Sequence, residues 1–224
     1  MMRDPDLIPL QDRLLLAALN HVPFDGWTRA VLDRALADCG EDEAAAYRAF
    51  PEGVPDMVAH FTDWADRNME AELATWDLDG MKIRERIATA IRVRLTLCAP
   101  HRDAVRLAAA HLARPENYAL AARLTYNTVD AMWHAIGDTA TDFSWYTKRA
   151  TLAGVYTSTL LVWLDDRSED FADTWAFLDR RIEDVIRFGK TRARVTKQLE
   201  QVPNPLRLLA NCRPGSRSPV RPVR

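Results

Sequence analysis

The chain has 224 residues, 48% of them hydrophobic and 28% charged, with a formal net charge of −2. That length suits one domain or two small ones with a real core. No long alternating apolar/polar run appears, which excludes a sheet protein, and no run approaches the length of a membrane-spanning helix.

The charge is uneven. From Val185 onward ten basic residues stand against one acid, Glu200. The small overall charge therefore conceals an acidic body and a basic tail, and such a tail suits an anionic surface. Cys39, Cys98 and Cys212 are odd in number and widely spaced. They argue against a disulfide framework and a zinc site and fit a reducing compartment. The opening MMRDPDLIPLQDRLL has no apolar core after a basic start, so no signal peptide is expected.

In chain order, Leu7 to Asn20 reads as a helix with Leu7, Leu10, Leu14, Leu15 and Ala18 on one face. His21 to Gly26 reads as a loop, and Trp27 to Asp38 as a second helix stopped by Gly40. Asp42 caps a short third helix that ends before Pro51 and Gly53. Three short helices so spaced resemble the helix-turn-helix of TetR-type repressors. Yet Glu41, Asp42, Glu43 and Ala44 stand where that family holds small, polar or basic residues. Carboxylates repel phosphate, so no nucleic-acid binding is expected.

Val54 to Thr75 follows, with Met57, Phe61, Trp64, Met69 and Leu73 as inward candidates. Met81 to Ala99 is read with Ile83, Ile87, Ile91, Leu95 and Cys98 inside and Lys82, Arg84, Arg86, Arg92 and Arg94 outside, a solvated charged face. His101 to Ala113 and Pro115 to Ile136 form a pair. The stretch 143–164 is apolar on two faces, rich in small residues around Gly154, and reads as central. It opens after a polar loop in which Asp142 is a natural N-cap. A last helix runs from Phe171 to about Thr191, and Pro203, Pro205, Pro214, Pro219 and Pro222 mark a loose tail.

The segment GDTATDFSWYTKRATLAGVYTSTLLVWLDDRS (Gly137–Ser168), with DTWAFLDRRIEDV (Asp173–Val185), closely resembles the hallmark of the Coq-nine family. These are accessory proteins of ubiquinone (coenzyme Q) biosynthesis. HVPFDGWT (His21–Thr28) and FPEGVPDMVAHF (Phe50–Phe61) extend the likeness, which spans about residues 6–190. Together the two resemblances imply an all-α, TetR-like bundle of about nine helices. The expected divisions are a small helix-turn-helix-like module over 1–53, a lipid-holding and dimerising bundle over 54–190, and a basic Pro-rich tail over 191–224.

Chemistry of the usual catalytic kinds is not visible. There is no Glu-x-x-His pair for a di-iron bundle, no phosphate loop and no nucleophile elbow. Asp130/His134 and Asp56/His60 are single i,i+4 pairs, too few for a metal, and Asp165-Asp166 suits capping. No catalytic residue, metal ligand or cofactor is assigned.

An apolar cavity among helices is the alternative to a closed core. Phe61, Trp64, Met69, Met132, Trp133, Tyr156 and Leu160 are its candidate lining. The Coq-nine likeness implies that it holds an isoprenoid lipid, ubiquinone or a precursor, and hands it to a ring-modifying hydroxylase of the pathway. The implied partner surface comprises Asp138, Thr141, Asp142, Trp145, Tyr146 and Arg149. The protein is expected to be a non-enzymatic homodimer in the cytoplasm, peripheral to the inner membrane. Its tail is either a solvated terminus or a segment docked on an anionic membrane. The competing reading is a ligand-responsive TetR-type regulator.

Overall fold

α1 (Ile8–Ala18) carries Pro9 in its first turn, where the missing N–H costs no helical bond, and buries Leu14, Leu15 and Ala18. The molecule is described from a computed structural model that defines the backbone of residues 5–137 and 144–200 and the side chains of residues 6–137 and 147–187.

α2 (Val22–Asp25) is a single turn where the sequence predicts a loop. Pro23 presets a helical φ, and Gly26, at φ +70°, stops the turn at once. This turn raises the expected nine helices to ten among the described residues.

α3 (Arg29–Cys39) starts on Thr28, whose hydroxyl accepts the Val31 N–H, and ends on Gly40 in the left-handed conformation. α4 (Glu43–Ala49) starts on Asp42, whose carboxylate accepts the Ala45 N–H at 2.8 Å.

α5 (Val54–Leu73) joins the front helices to the larger bundle. Toward α1, Asp12 receives Arg67 at 2.6 and 3.1 Å and His60 Nε2 at 2.7 Å. Desolvation raises the Asp12 pKa, but these bonds outweigh it and hold the carboxyl below its usual range. Burial pushes the His60 imidazole down. Phe61 lies 5.4 Å from the Trp27 ring, and the Trp27 indole donates to the Ala104 carbonyl at 3.0 Å.

α6 (Ile83–Leu97) departs from the expected faces. Ile83 is half exposed, and Arg94, placed outside by the charge run, is only 4% exposed. α7 (Arg102–Leu112), α8 (Tyr118–Ala135) and α9 (Ser144–Asp165) complete the wall around the core. α9 buries one broad face through Leu152, Val155, Tyr156, Thr159 and Trp163, while Leu161 is 62% exposed. Among the described residues, a Cβ on Gly154 would meet nothing within 4 Å, so this glycine makes no close contact with any described helix.

α10 (Ala172–Glu200) runs nine residues past its expected end. No proline interrupts the chain before Pro203, and Gly189 alone, at about 1 kcal/mol relative to alanine, does not stop it. Its start is fixed by Asp166, which accepts the Ser168 and Thr174 N–H groups at 2.7 and 2.8 Å and both hydroxyls. Desolvation opposes ionisation of Asp166, but these four bonds prevail and hold it far below the carboxylate range.

The chain divides into two compact units, residues 1–182 and 183–224. The first contains the front helices and the bundle together. The second is represented among the described residues by the remainder of α10.

Candidate ligand-binding site

Helices α5 to α9 line a half-open cavity of about 90 Å³. α5 contributes Phe61, Thr62 and Ala65; α7 contributes Val105, Ala108, Ala109 and Leu112. α8 adds Leu124, Thr125 and Thr128, and α9 adds Tyr156, Thr157 and Leu160. Arg94 comes from the end of α6, with Cys98 just beyond it. Leu112, Thr125, Thr157 and Leu160 are half-buried, while Arg94, Cys98, Thr128 and Tyr156 are buried.

One polar cluster sits in this apolar wall. Arg94 Nε donates to Asp66 Oδ1 at 2.7 Å and Nη1 donates to the Tyr156 hydroxyl at 2.6 Å. The Thr128 hydroxyl donates to Asp66 Oδ2 at 2.9 Å. Both Asp66 oxygens thus accept, as those of an ionised carboxylate do. Burial pushes the Asp66 carboxyl upward while Arg94 pulls against it; burial also disfavours the Arg94 charge, but its surroundings, Tyr156 and Asp66 foremost, outweigh this and Arg94 stays charged. Burial lifts the Tyr156 phenol to about 12, so it remains a neutral donor. It also raises the Cys98 thiol.

Of the predicted lining, Phe61, Tyr156 and Leu160 reach the cavity. Trp64 instead stacks on Phe61 at 6.2 Å and meets His101 edge-on at 5.8 Å. Met69, Met132 and Trp133 are buried in the core away from the cavity lining. Apolar spacing finds buried faces but not the gap between them. The sequence does not single out Arg94, Asp66 and Thr128, because their meaning lies in one another. Asp66 and Arg94 are 28 residues apart, and nothing local marks the pair.

Of the predicted partner surface, Asp138, Thr141 and Asp142 lie outside the described residues, so the expected Asp142 cap does too. Trp145 and Tyr146 fall in the first turn of α9, with side chains outside the described set. Arg149 is 8% exposed, its guanidinium on Asp130 at 2.6 and 2.7 Å. Asp130 is thereby engaged elsewhere than with His134, and His60 bonds Asp12 rather than Asp56. No three His, Cys, Asp or Glu residues gather as a metal site among the described residues. No helix among them is long and apolar enough to cross a membrane.

On the front helices, Arg29 pairs with Asp33 at 2.8 Å and Glu43 at 3.4 Å. Arg13 pairs with Glu41 and Arg34 with Asp25. α4 carries one basic residue, Arg48. The N-terminus of α4, where a phosphate would find free N–H groups, is already capped by the Asp42 carboxylate.

Comparison with known proteins bears on both halves. A TetR transcriptional regulator from Nitrosomonas europaea superposes with a TM-score of 0.63 at 20% identity, covering 78% of this chain and 97% of the regulator. At that identity the likeness establishes the TetR-like fold. A model of the COQ9 family matches residues 118–189, which hold α8, α9 and the cavity residues Leu124 to Leu160. The mitochondrial ubiquinone biosynthesis protein COQ9 of Rattus norvegicus is 36% identical over 193 residues, 83% of this chain and 62% of that protein. Its Homo sapiens counterpart is 35% identical over 193 residues, 83% of this chain and 60% of that protein. The chain thus spans about three fifths of the length of these two relatives. Ubiquinone biosynthesis protein COQ9-B of Xenopus laevis is 35% identical over 200 residues, 86% of this chain and 68% of that protein. At 35% identity over 86% of this chain and 68% of that relative, the chain belongs to the COQ9 family, built on a TetR-like all-α fold.

Proposed function

We propose that this protein is a non-enzymatic accessory factor of ubiquinone biosynthesis that binds an isoprenoid quinone intermediate and presents it to a ring-modifying hydroxylase. The observation that carries the reading is a largely apolar cavity, walled by α5 to α9, in a member of a family named for that pathway. The 90 Å³ of this half-open cavity is well below the roughly 300 Å³ at which ligand pockets usually begin. It therefore suits one end of a lipid, with the remainder passing between the half-buried residues at its rim.

The partner surface in this reading is the start of α9, with Trp145 and Tyr146 as anchors of the kind that dominate interface energies. The basic end of the chain, including Arg192, Arg194 and Lys197, gives it an anionic membrane to rest on. The exposed face of α9 around Leu161 suits a second copy of the chain.

The test is organic extraction of the purified protein followed by mass spectrometry. An isoprenoid quinone is the expected finding, and protein free of any such lipid overturns the reading. The regulator alternative shares the fold, but its phosphate-facing surface is neutralised by Asp25, Asp33, Glu41 and Glu43. A gel shift with genomic fragments at low salt separates the two, with no shift expected.

A further inference from the structure

The buried cluster beside the cavity leaves two donors without acceptors. The Tyr156 hydroxyl accepts from Arg94, but its own hydrogen goes to no acceptor among the described residues. Arg94 uses Nε on Asp66 and Nη1 on Tyr156, and Nη2 bonds to nothing among the described residues. Both side chains line the cavity, and they are 5% and 4% exposed. A buried phenol ordinarily finds a partner for its hydrogen, and Arg94 Nη2, which is not sealed off with the fully enclosed unbonded atoms, keeps open space beside it for an acceptor. Phenylalanine at 156 would remove the unmet hydroxyl hydrogen but would also take the acceptor from Arg94 Nη1.

The charge at this end of the cavity narrows what completes it. Arg94 is already balanced by Asp66 at 2.7 Å, and Tyr156 is neutral. A carboxylate or phosphate entering here would bring a second buried negative charge with no cation left to meet it. A neutral oxygen acceptor adds hydrogen bonds and no charge. The walls beyond, from Phe61, Val105, Leu124 and Leu160, accept hydrocarbon.

We propose that Tyr156 and Arg94 form a receptor for the neutral carbonyl oxygen of a ring or ketone whose carbon skeleton lies against the apolar wall. This deepens the lipid-binding reading and rests on it, because it states which end of the guest is held and by what.

Duroquinone and durene test it. They share one tetramethylated six-membered ring and differ in two carbonyl oxygens. Equilibrium dialysis of the full chain is expected to show tighter binding of duroquinone. Tyr156→Phe should weaken duroquinone about fivefold to tenfold, the effect of one hydrogen bond, and leave durene unchanged. Infrared difference spectra of wild-type protein should show the duroquinone carbonyl stretch moved to lower frequency than in hexane. That readout holds even where the variant folds poorly.

Equal duroquinone affinity in Tyr156→Phe, or a carbonyl stretch at its hexane position, overturns the proposal. Durene binding with no preference for the quinone also overturns it but leaves the carrier reading standing. Wild-type protein that takes neither probe removes both.

Discussion

The front helices and the bundle core use the same pairing, arginine with carboxylate, to opposite ends. Around α3 and α4 the pairs are solvent-exposed: Arg29 with Asp33 and Glu43, Arg34 with Asp25, Arg13 with Glu41. Water screens each to about 0–1 kcal/mol, so they do little for stability. Their consequence is electrostatic, since every carboxylate cancels a charge that a phosphate-binding surface would need. In the core, Arg94 and Asp66 are 4% and 7% exposed. There the pair cannot be screened, and its geometry fixes Tyr156 and the free edge of the guanidinium against the cavity. The difference teaches that dielectric environment, more than residue identity, decides what an ion pair does.

The largest expected effect breaks the core side of the contrast. Arg94→Met should cost about 3–5 kcal/mol in chemical denaturation, because it strands the Asp66 carboxylate in the interior. Asp66→Leu combined with Arg94→Met should recover most of that loss, since an apolar replacement removes both charges together. A single variant as stable as wild type would show that Asp66 is not buried as a charge.

Asp166 lies between the two extremes. Asp166→Ala should cost about 1–2 kcal/mol, as for other lost N-caps, and loosen the start of α10. Its acid behaviour has a definite sign. The carboxyl is held below its unfolded value of about 3.9, so its contribution is complete above that pH and disappears as pH falls through the folded value. Urea midpoints taken below pH 4 should drop in wild type and much less in Asp166→Ala.

His60 gives a smaller effect in a separate window. Burial depresses its pKa, so the unfolded chain takes up the proton first and stability declines as pH falls below about 6.5. His60→Gln should flatten the urea midpoint between pH 6.5 and 5 while leaving the steeper acid limb in place. Smallest of all, Arg29→Ala and Arg34→Ala should each change stability by less than about 1 kcal/mol. A change of several kcal/mol from either would erase the contrast.

The legible parts of this molecule were those in which a residue acts on its immediate neighbours. Gly40 as a helix stop, Asp42 as a cap and Asp166 as the acceptor for the turn that follows act within a few residues, and the structure shows each acting so, whereas Asp165 reaches across to Arg106. The one-turn α2 and the extension of α10 to Glu200 are not legible in the sequence for a related reason. Each rests on how strongly a single Pro or Gly punctuates the chain. Arg94 was placed outside because it lies in a run of basic residues on α6, and runs of that kind usually face water. What draws it inward is Asp66 on another helix, with Thr128 on a third. Met69, Met132 and Trp133 were correctly apolar, but pattern alone cannot say which buried side chain borders empty space.

Cys98 carries a last consequence. Its thiol lies in the cavity wall, 1% exposed, and burial raises its pKa, which favours the protonated form. Only the thiolate is a strong nucleophile. On the proposed carrier reading, an electrophilic ring resting against that sulfur would be spared conjugate addition and would not alkylate the wall that holds it.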